Sequence, residues 1–130
     1  MVVADAVSPR TFTTLARIAL AVTAAVIFHL ATTDRVYPAI EGMGDKFDHA
    51  VAFAVLALLV DVSFPARRFG LAKIVALLAF GLAIEAVQYF LPYREASLYD
   101  WLADAAGIAL YLPFIPLLAK LPVLRRPAKD

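Results

Sequence analysis

The sequence predicts an all-α membrane protein folded as a bundle of four transmembrane helices. Hydrophobic residues make up 63% of the 130 residues and the mean hydropathy is +0.81, whereas soluble domains are about 45–50% apolar. The apolar residues form four runs, each close to the about 20 residues that a helix needs to cross a bilayer. A net charge of +1 gives no basis for nucleic-acid binding, and the lack of cysteine excludes disulfides and thiolate metal sites.

The four runs are expected to form a single transmembrane domain with spans at residues 12–31, 45–64, 71–91 and 98–120. The first run is long and is followed by no small-residue cleavage site, so we interpret it as an uncleaved signal anchor. Pro65 and Pro92 end the second and third spans, because proline cannot continue a helix. Pro113 and Pro116 fall inside the fourth span and predict a kink there.

Basic residues sort to one side of the predicted spans. Nine lie on the side of the two termini and the second loop: Arg10, Arg17, Arg67, Arg68, Lys73, Lys120, Arg125, Arg126 and Lys129. The other side holds Arg35, Lys46 and Arg94. By the positive-inside rule, both termini are expected in the cytoplasm, and the multi-pass chain in a bacterial inner membrane.

Polar residues of spans two, three and four collect near the predicted outer boundary. Glu85 lies six residues before the outer end of span three and Asp104 six residues after the start of span four. At about 1.5 Å per residue, both lie roughly 9 Å below the boundary. A charge at the bilayer centre costs about 2.5–3.5 kcal/mol, so we expect Glu85 to be protonated or paired with Lys46, His49 or Arg94.

Helical spacing places these residues on shared faces. One stripe runs through His49, Phe53, Leu56 and Val60, another through Gly81, Glu85, Gln88 and Pro92, and a third through Asp100, Asp104, Gly107 and Tyr111. Small residues at Ala79 and Ala83, and at Ala103 and Gly107, predict close helix contacts. The expected result is an outward-facing polar pocket whose candidate ligand-binding residues are Asp45, Lys46, His49, Glu85, Gln88, Arg94, Ser97, Asp100 and Asp104.

Four functions are compatible with this pocket. Lys46 and Arg94 could hold an anionic group while Glu85 and Asp104 accept hydrogen bonds. His49 could act as general base or nucleophile beside Glu85, on a lipid-linked phosphate or ester. A divalent cation could bind His49, Glu85, Asp100 and Asp104.

The fourth possibility is a structural or accessory subunit, in which the polar residues join helices at about 0.6 kcal/mol each. The sequence lacks a zincin motif, a nucleophile elbow and a phosphate-binding glycine loop. Binding is therefore favoured over catalysis, and no cofactor is expected apart from a weakly indicated cation.

Other polar residues have structural explanations. Ser97-x-x-Asp100 is typical of a helix N-cap. Asp61 is expected to reach the interface or pair with Arg67, and no function is assigned to it. Trp101 and Tyr99 fit the aromatic belt at a membrane boundary.

The polar motifs together resemble the VanZ-like family of small bacterial membrane proteins. The matching elements span residues 45–107: Asp45-Lys46-x-x-His49-x-x-x-Phe53, Gly81-x-x-x-Glu85-x-x-Gln88, Pro92-x-Arg94-x-x-Ser97-x-x-Asp100 and Ala103-Asp104-x-x-Gly107. Asp104 stands where many members carry Asn, which adds a negative charge. The resemblance implies a role in the cell envelope, since the founding member is associated with teicoplanin resistance. The implied partners are the bilayer and a lipid headgroup, cell-wall precursor or glycopeptide-related ligand.

Overall fold

The computed structural model describes residues 7–34 and 45–121. For Asp45 only the backbone is described, so its predicted part in the pocket lies outside the described residues. Arg35, Arg125, Arg126 and Lys129, which contributed to the predicted charge asymmetry, lie outside the described residues.

The fold is all-α, as predicted. Its helices are α1 (Pro9–Thr32), α2 (Asp45–Ser63), α3 (Leu71–Tyr89) and α4 (Leu98–Tyr111), followed by a 3-10 turn (Leu112–Phe114) and the short α5 (Ile115–Leu118). Helices α2, α3 and α4 begin at the residues where the predicted spans begin.

Local sequence explains where the helices begin and end. Helix α1 begins three residues before the predicted span because Ser8 caps it, its Oγ accepting the Thr11 N–H at 3.1 Å, and Pro9 has a φ suited to the first turn. Ser97 caps α4 as predicted, and its Oγ accepts the Tyr99 N–H at 3.2 Å. Regular α-helix gives way to a 3-10 turn next to Pro113, in agreement with the predicted irregularity.

Three described helices are long and apolar enough to cross a membrane: Pro9–Thr32, Leu71–Tyr89 and Leu98–Leu118. Helix α2 is not among them, because its 19 residues include the four charged residues Asp45, Lys46, Asp48 and Asp61. The three helices indicate a membrane protein. The composition of α2 does not decide where this helix lies in the membrane.

Helix α2 packs most extensively on α4 and next on α1, while α3 contacts α4, α2 and α1. The buried core lies between α2, α3 and α4 and consists of Phe53, Leu56, Ala57, Leu77, Ile108 and Tyr111. The predicted faces are largely confirmed: Phe53 and Leu56 are buried on α2, and all of Asp100, Asp104, Gly107 and Tyr111 are buried on α4.

Two glycines allow the closest approach between helices. A Cβ on Gly107 would lie 2.9 Å from the carbonyl carbon of Ala50, so α4 contacts the α2 backbone there. A Cβ on Gly81 would lie 2.6 Å from Asp104 Oδ2. The prediction of a close contact through Ala79 and Ala83 is wrong for the described chain, because both are exposed. In an alanine-rich helix small residues recur on every face, and the buried face of α3 is the one through Gly81.

Candidate functional site

The structure brings together five side chains from three helices, which we call the His49 cluster: Lys46 and His49 from α2, Glu85 from α3, and Asp100 and Asp104 from α4. His49, Glu85, Asp100 and Asp104 come from stripes that helical spacing predicts, and Lys46 lies three residues before His49. Because α2 and α4 approach closely at Gly107, the α4 carboxylates reach the α2 side chains directly.

His49 lies between two carboxylates of α4. Its Nδ1 is 2.6 Å from Asp104 Oδ1, and its Nε2 is 3.9 Å from Asp100 Oδ2. An ionised carboxylate only accepts hydrogen bonds, so Nδ1 carries the proton in this contact. Asp104 is only 1% exposed and therefore fixes both the tautomer and the orientation of the imidazole, which directs Nε2 towards Asp100.

Lys46 lies at the exposed edge of the cluster. Its Nζ donates to Asp100 Oδ1 at 2.7 Å, while its side chain remains 56% exposed. The Asp100 side chain is only 6% exposed, so the ion pair joins an accessible cation to a buried carboxylate.

Glu85 takes its hydrogen bond from a backbone group rather than from a cationic side chain. Its Oε2 accepts the Ser97 N–H at 2.8 Å, one of the N–H groups at the start of α4, where the helix dipole favours a carboxylate. Its Oε1 is buried and has no hydrogen-bond partner within residues 7–34 and 45–121. The sequence predicts Glu85 to be protonated or paired with Lys46, His49 or Arg94, and the hydrogen bond that the structure shows is this helix-terminal contact.

Carboxylates dominate the cluster. Glu85, Asp100 and Asp104 are 7%, 4% and 1% exposed, and they share one lysine and one histidine. One ligand atom each from His49, Glu85 and Asp100 lie within 4.8 Å of one another. This arrangement suits a ligand that is positively charged or rich in hydrogen-bond donors, because the side chains offer mainly acceptors.

Two predicted pocket residues are directed to α1 instead. Gln88 Nε2 donates to Ala31 O at 2.9 Å. Arg94 donates through Nε and Nη2 to Thr33 O, and through Nη2 to Leu30 O at 2.7 Å. The final carbonyls of a helix lack partners within it, so both side chains cap the end of α1. The geometry thus gives no support to Arg94 as an anion clamp.

A second polar cluster formed by Asp61, Lys73 and Tyr111 was missed as a unit by sequence reasoning. Lys73 Nζ lies 2.9 Å from Asp61 Oδ1, and the Tyr111 hydroxyl donates to Asp61 Oδ2 at 2.6 Å. Lys73 also donates to the carbonyls of Phe64 and Arg67 at 3.0 and 2.8 Å.

The predicted partner of Asp61 was wrong, since Arg67 contributes only its carbonyl to this Asp61 cluster. A signal was present in the sequence: Lys73 lies four residues before Leu77 and eight before Gly81, on the buried stripe of α3.

Aromatic residues near the His49 cluster divide between two roles. The Trp101 indole donates from Nε1 to Leu78 O at 3.0 Å and so joins α4 to α3. Its place in the aromatic belt stays a prediction. Tyr99 is 71% exposed, which agrees with a position at the boundary.

A family model described as VanZ/LLP1 matches residues 5–119, which extends well beyond the motif region at 45–107. Among curated proteins and among solved structures, no significant match to the chain was found.

Proposed function

Given that the chain belongs to the VanZ/LLP1 family, we propose that it is a four-span membrane protein of the bacterial cell envelope that binds a polar lipid headgroup. The headgroup belongs to a membrane lipid or to a lipid-linked cell-wall precursor, since both present the same chemistry at the membrane surface. In this proposal both termini lie in the cytoplasm and the His49 cluster lies at the outer boundary. A part in glycopeptide resistance stays a prediction from the resemblance.

The observation that carries this proposal is the unsatisfied Oε1 of Glu85. A buried carboxylate oxygen without a partner costs free energy of about 1–3 kcal/mol or more. A buried polar group without a partner calls for an explanation, and a bound ligand or ion that completes its hydrogen bonds supplies one. Glu85 lies beside Asp100 and Asp104, so the missing group is a donor or a cation rather than an anion.

Lys46 adds the second element of recognition. Its ammonium is held at the exposed edge of the cluster by Asp100, where a headgroup phosphate arriving from the membrane surface meets it first. A headgroup with a phosphate and an amine or hydroxyl then matches the cluster: phosphate at Lys46, donor at Glu85. This differs from the sequence-based expectation, in which Arg94 shared the anionic group.

The test is retention of defined lipids by the purified protein, measured by native mass spectrometry with excess EDTA present. Phosphatidylethanolamine and phosphatidylcholine carry the same phosphate, but only the former has N–H donors. We expect preferential retention of phosphatidylethanolamine, lost in Glu85→Gln. Equal retention of both lipids by the wild type would contradict the proposal. The control is Asp48→Asn, which removes a carboxylate one position from His49 and should keep the preference.

A further inference from the structure

We propose that His49, Glu85 and Asp100 form a binding site for a divalent cation of the Zn²⁺ or Mn²⁺ class. This inference rests on the proposed function, because both assume that the His49 cluster binds a ligand. A cation and a headgroup amine would use the same oxygen of Glu85, so the two are measured separately.

The geometry of the three side chains fits one shared ion. Zn²⁺ binds nitrogen and carboxylate oxygen at about 2.0–2.2 Å, so two ligands of one ion lie at most about 4.4 Å apart. His49 Nε2 and Asp100 Oδ2 are 3.9 Å apart, within this limit. The Glu85 ligand atom lies within 4.8 Å of the other two ligand atoms, close to this limit.

Glu85 supplies evidence that is independent of the spacing. The residue is 7% exposed, and its Oε1 is buried without a hydrogen-bond partner in the described part of the chain. Its Oε2 is held by the Ser97 N–H, so the carboxylate is already oriented. A cation would satisfy Oε1 and offset the repulsion among three neighbouring carboxylates.

Asp104 completes the arrangement as a positioning residue. Histidines that bind metals commonly donate their other ring N–H to a carboxylate, which fixes the tautomer and raises the basicity of the ligating nitrogen. The 2.6 Å contact between His49 Nδ1 and Asp104 Oδ1 has this form. Asp104 therefore stands behind the site, while His49, Glu85 and Asp100 face it.

The ligand types select the class of ion. An imidazole nitrogen with two carboxylates suits Zn²⁺ and Mn²⁺, whereas sites for Mg²⁺ and Ca²⁺ use oxygen alone. Three protein ligands also leave a fourth coordination position open for an external ligand, as in catalytic zinc sites.

The experiment is calorimetric titration of the purified full-length chain in detergent with Zn²⁺ and with Mn²⁺, after removal of bound metal by a chelator. We expect one ion per chain. Asp104→Asn should weaken binding about 10–100-fold, because it removes the carboxylate that orients the ligating imidazole. Glu85→Gln should weaken binding at least as much. This variant retains the acceptor for Ser97, so it is expected to fold.

The visible absorption of Co²⁺ bound to the wild type should report nitrogen and oxygen ligands and change in Glu85→Gln.

A matched control separates the site from nonspecific binding. Asp48→Asn removes a carboxylate next to His49 in sequence but outside the cluster. It should bind the ion within about twofold of wild type. The inference is overturned if the wild type binds neither ion, or if Asp48→Asn weakens binding as much as Glu85→Gln.

The two proposals can fail separately. Absence of metal binding together with a lipid preference in EDTA would overturn only the metal site. Metal binding that depends on Glu85, without any lipid preference, would overturn the headgroup proposal and leave the metal site supported.

Discussion

Glu85 and Asp61 are both buried carboxylates, but their surroundings are opposite. Asp61 has a lysine at 2.9 Å and a tyrosine hydroxyl at 2.6 Å, which satisfy both oxygens. Glu85 has one backbone N–H, an unsatisfied oxygen, and Asp100 and Asp104 as acidic neighbours. Removing one partner of a buried ion pair costs stability because it leaves the other charge unpaired, whereas a carboxylate buried next to like charges is itself unfavourable.

The two carboxylates should therefore respond oppositely to neutralisation. Asp61→Asn leaves Lys73, which is 6% exposed, without its counter-charge, and should lower the free energy of unfolding by about 3–5 kcal/mol. Glu85→Gln keeps the acceptor for Ser97 and removes the repulsion, so it should melt at or above the wild-type temperature. Denaturant titration in mixed micelles and thermal melting measure the two effects. A large loss of stability in Glu85→Gln would identify Glu85 as a structural residue.

At the residue scale, the sequence predicts which side chains are buried better than it predicts their partners. Helical spacing placed Glu85, Asp100 and Asp104 on inward faces, and each is buried. The partner of a buried side chain depends on how one helix is rotated and shifted against its neighbour. The periodicity within a single helix carries no information about that arrangement. Lys73 reaches Asp61, although Arg67 is nearer in sequence. Lys73 is buried on α3, whereas Arg67 is exposed.

At the scale of helices, the interface between α2 and α4 positions the His49 cluster. The close approach of these two helices depends on Gly107. At Gly107 the α2 backbone at Ala50 occupies the space that a side chain would need. Backbone atoms cannot move aside as a flexible side chain can. Any larger residue at 107 must therefore separate α2 from α4 and lengthen the contacts of His49 and Lys46 with the α4 carboxylates.

Three glycine-to-alanine variants form a graded test of this interface. Gly107→Ala should destabilise the protein by about 1–3 kcal/mol through overpacking, and should weaken any ligand binding in the His49 cluster. Gly81→Ala meets only side chains, with Asp104 Oδ2 nearest at 2.6 Å, so it should disturb binding more than stability. Gly70→Ala has nothing within 4 Å and is the control. Equal melting temperatures for Gly107→Ala and Gly70→Ala would contradict the close approach.

The start of α4 and the ends of α2 and α3 were predictable from sequence because their causes, Ser97, Pro65 and Pro92, are local. The start of α1 has an equally local cause, the Ser8 cap, which the sequence analysis missed. The hydrogen bonds that hold the end of α1 to the rest of the protein were not predictable in the same way. Arg94 lies more than 60 residues from Leu30 in sequence, and nothing near either residue indicates the contact at 2.7 Å.

At the scale of the whole molecule, the position of α2 decides which face the His49 cluster opens to. Its composition alone does not mark it as a span. Its charges, however, lie at its two ends: Lys46 pairs with Asp100 near the start, and Asp61 pairs with Lys73 near the finish. Between them, Phe53, Leu56 and Ala57 are buried against the other helices. A helix with paired ends and a buried middle can cross beside its neighbours at low cost.

Since the chain has no cysteine, single cysteines report the topology directly. We expect Glu95→Cys to react with a membrane-impermeant maleimide in intact cells, and Val7→Cys and Ala66→Cys to react only after permeabilisation; all three positions are exposed. If α2 lay on the outer surface instead, α3 and α4 would run in the opposite directions. Ala66→Cys would then react in intact cells while Glu95→Cys was protected, and the cluster could not receive a headgroup from the outer leaflet. The two topologies predict opposite accessibility of Ala66→Cys and Glu95→Cys in intact cells, so labelling these two variants decides between them.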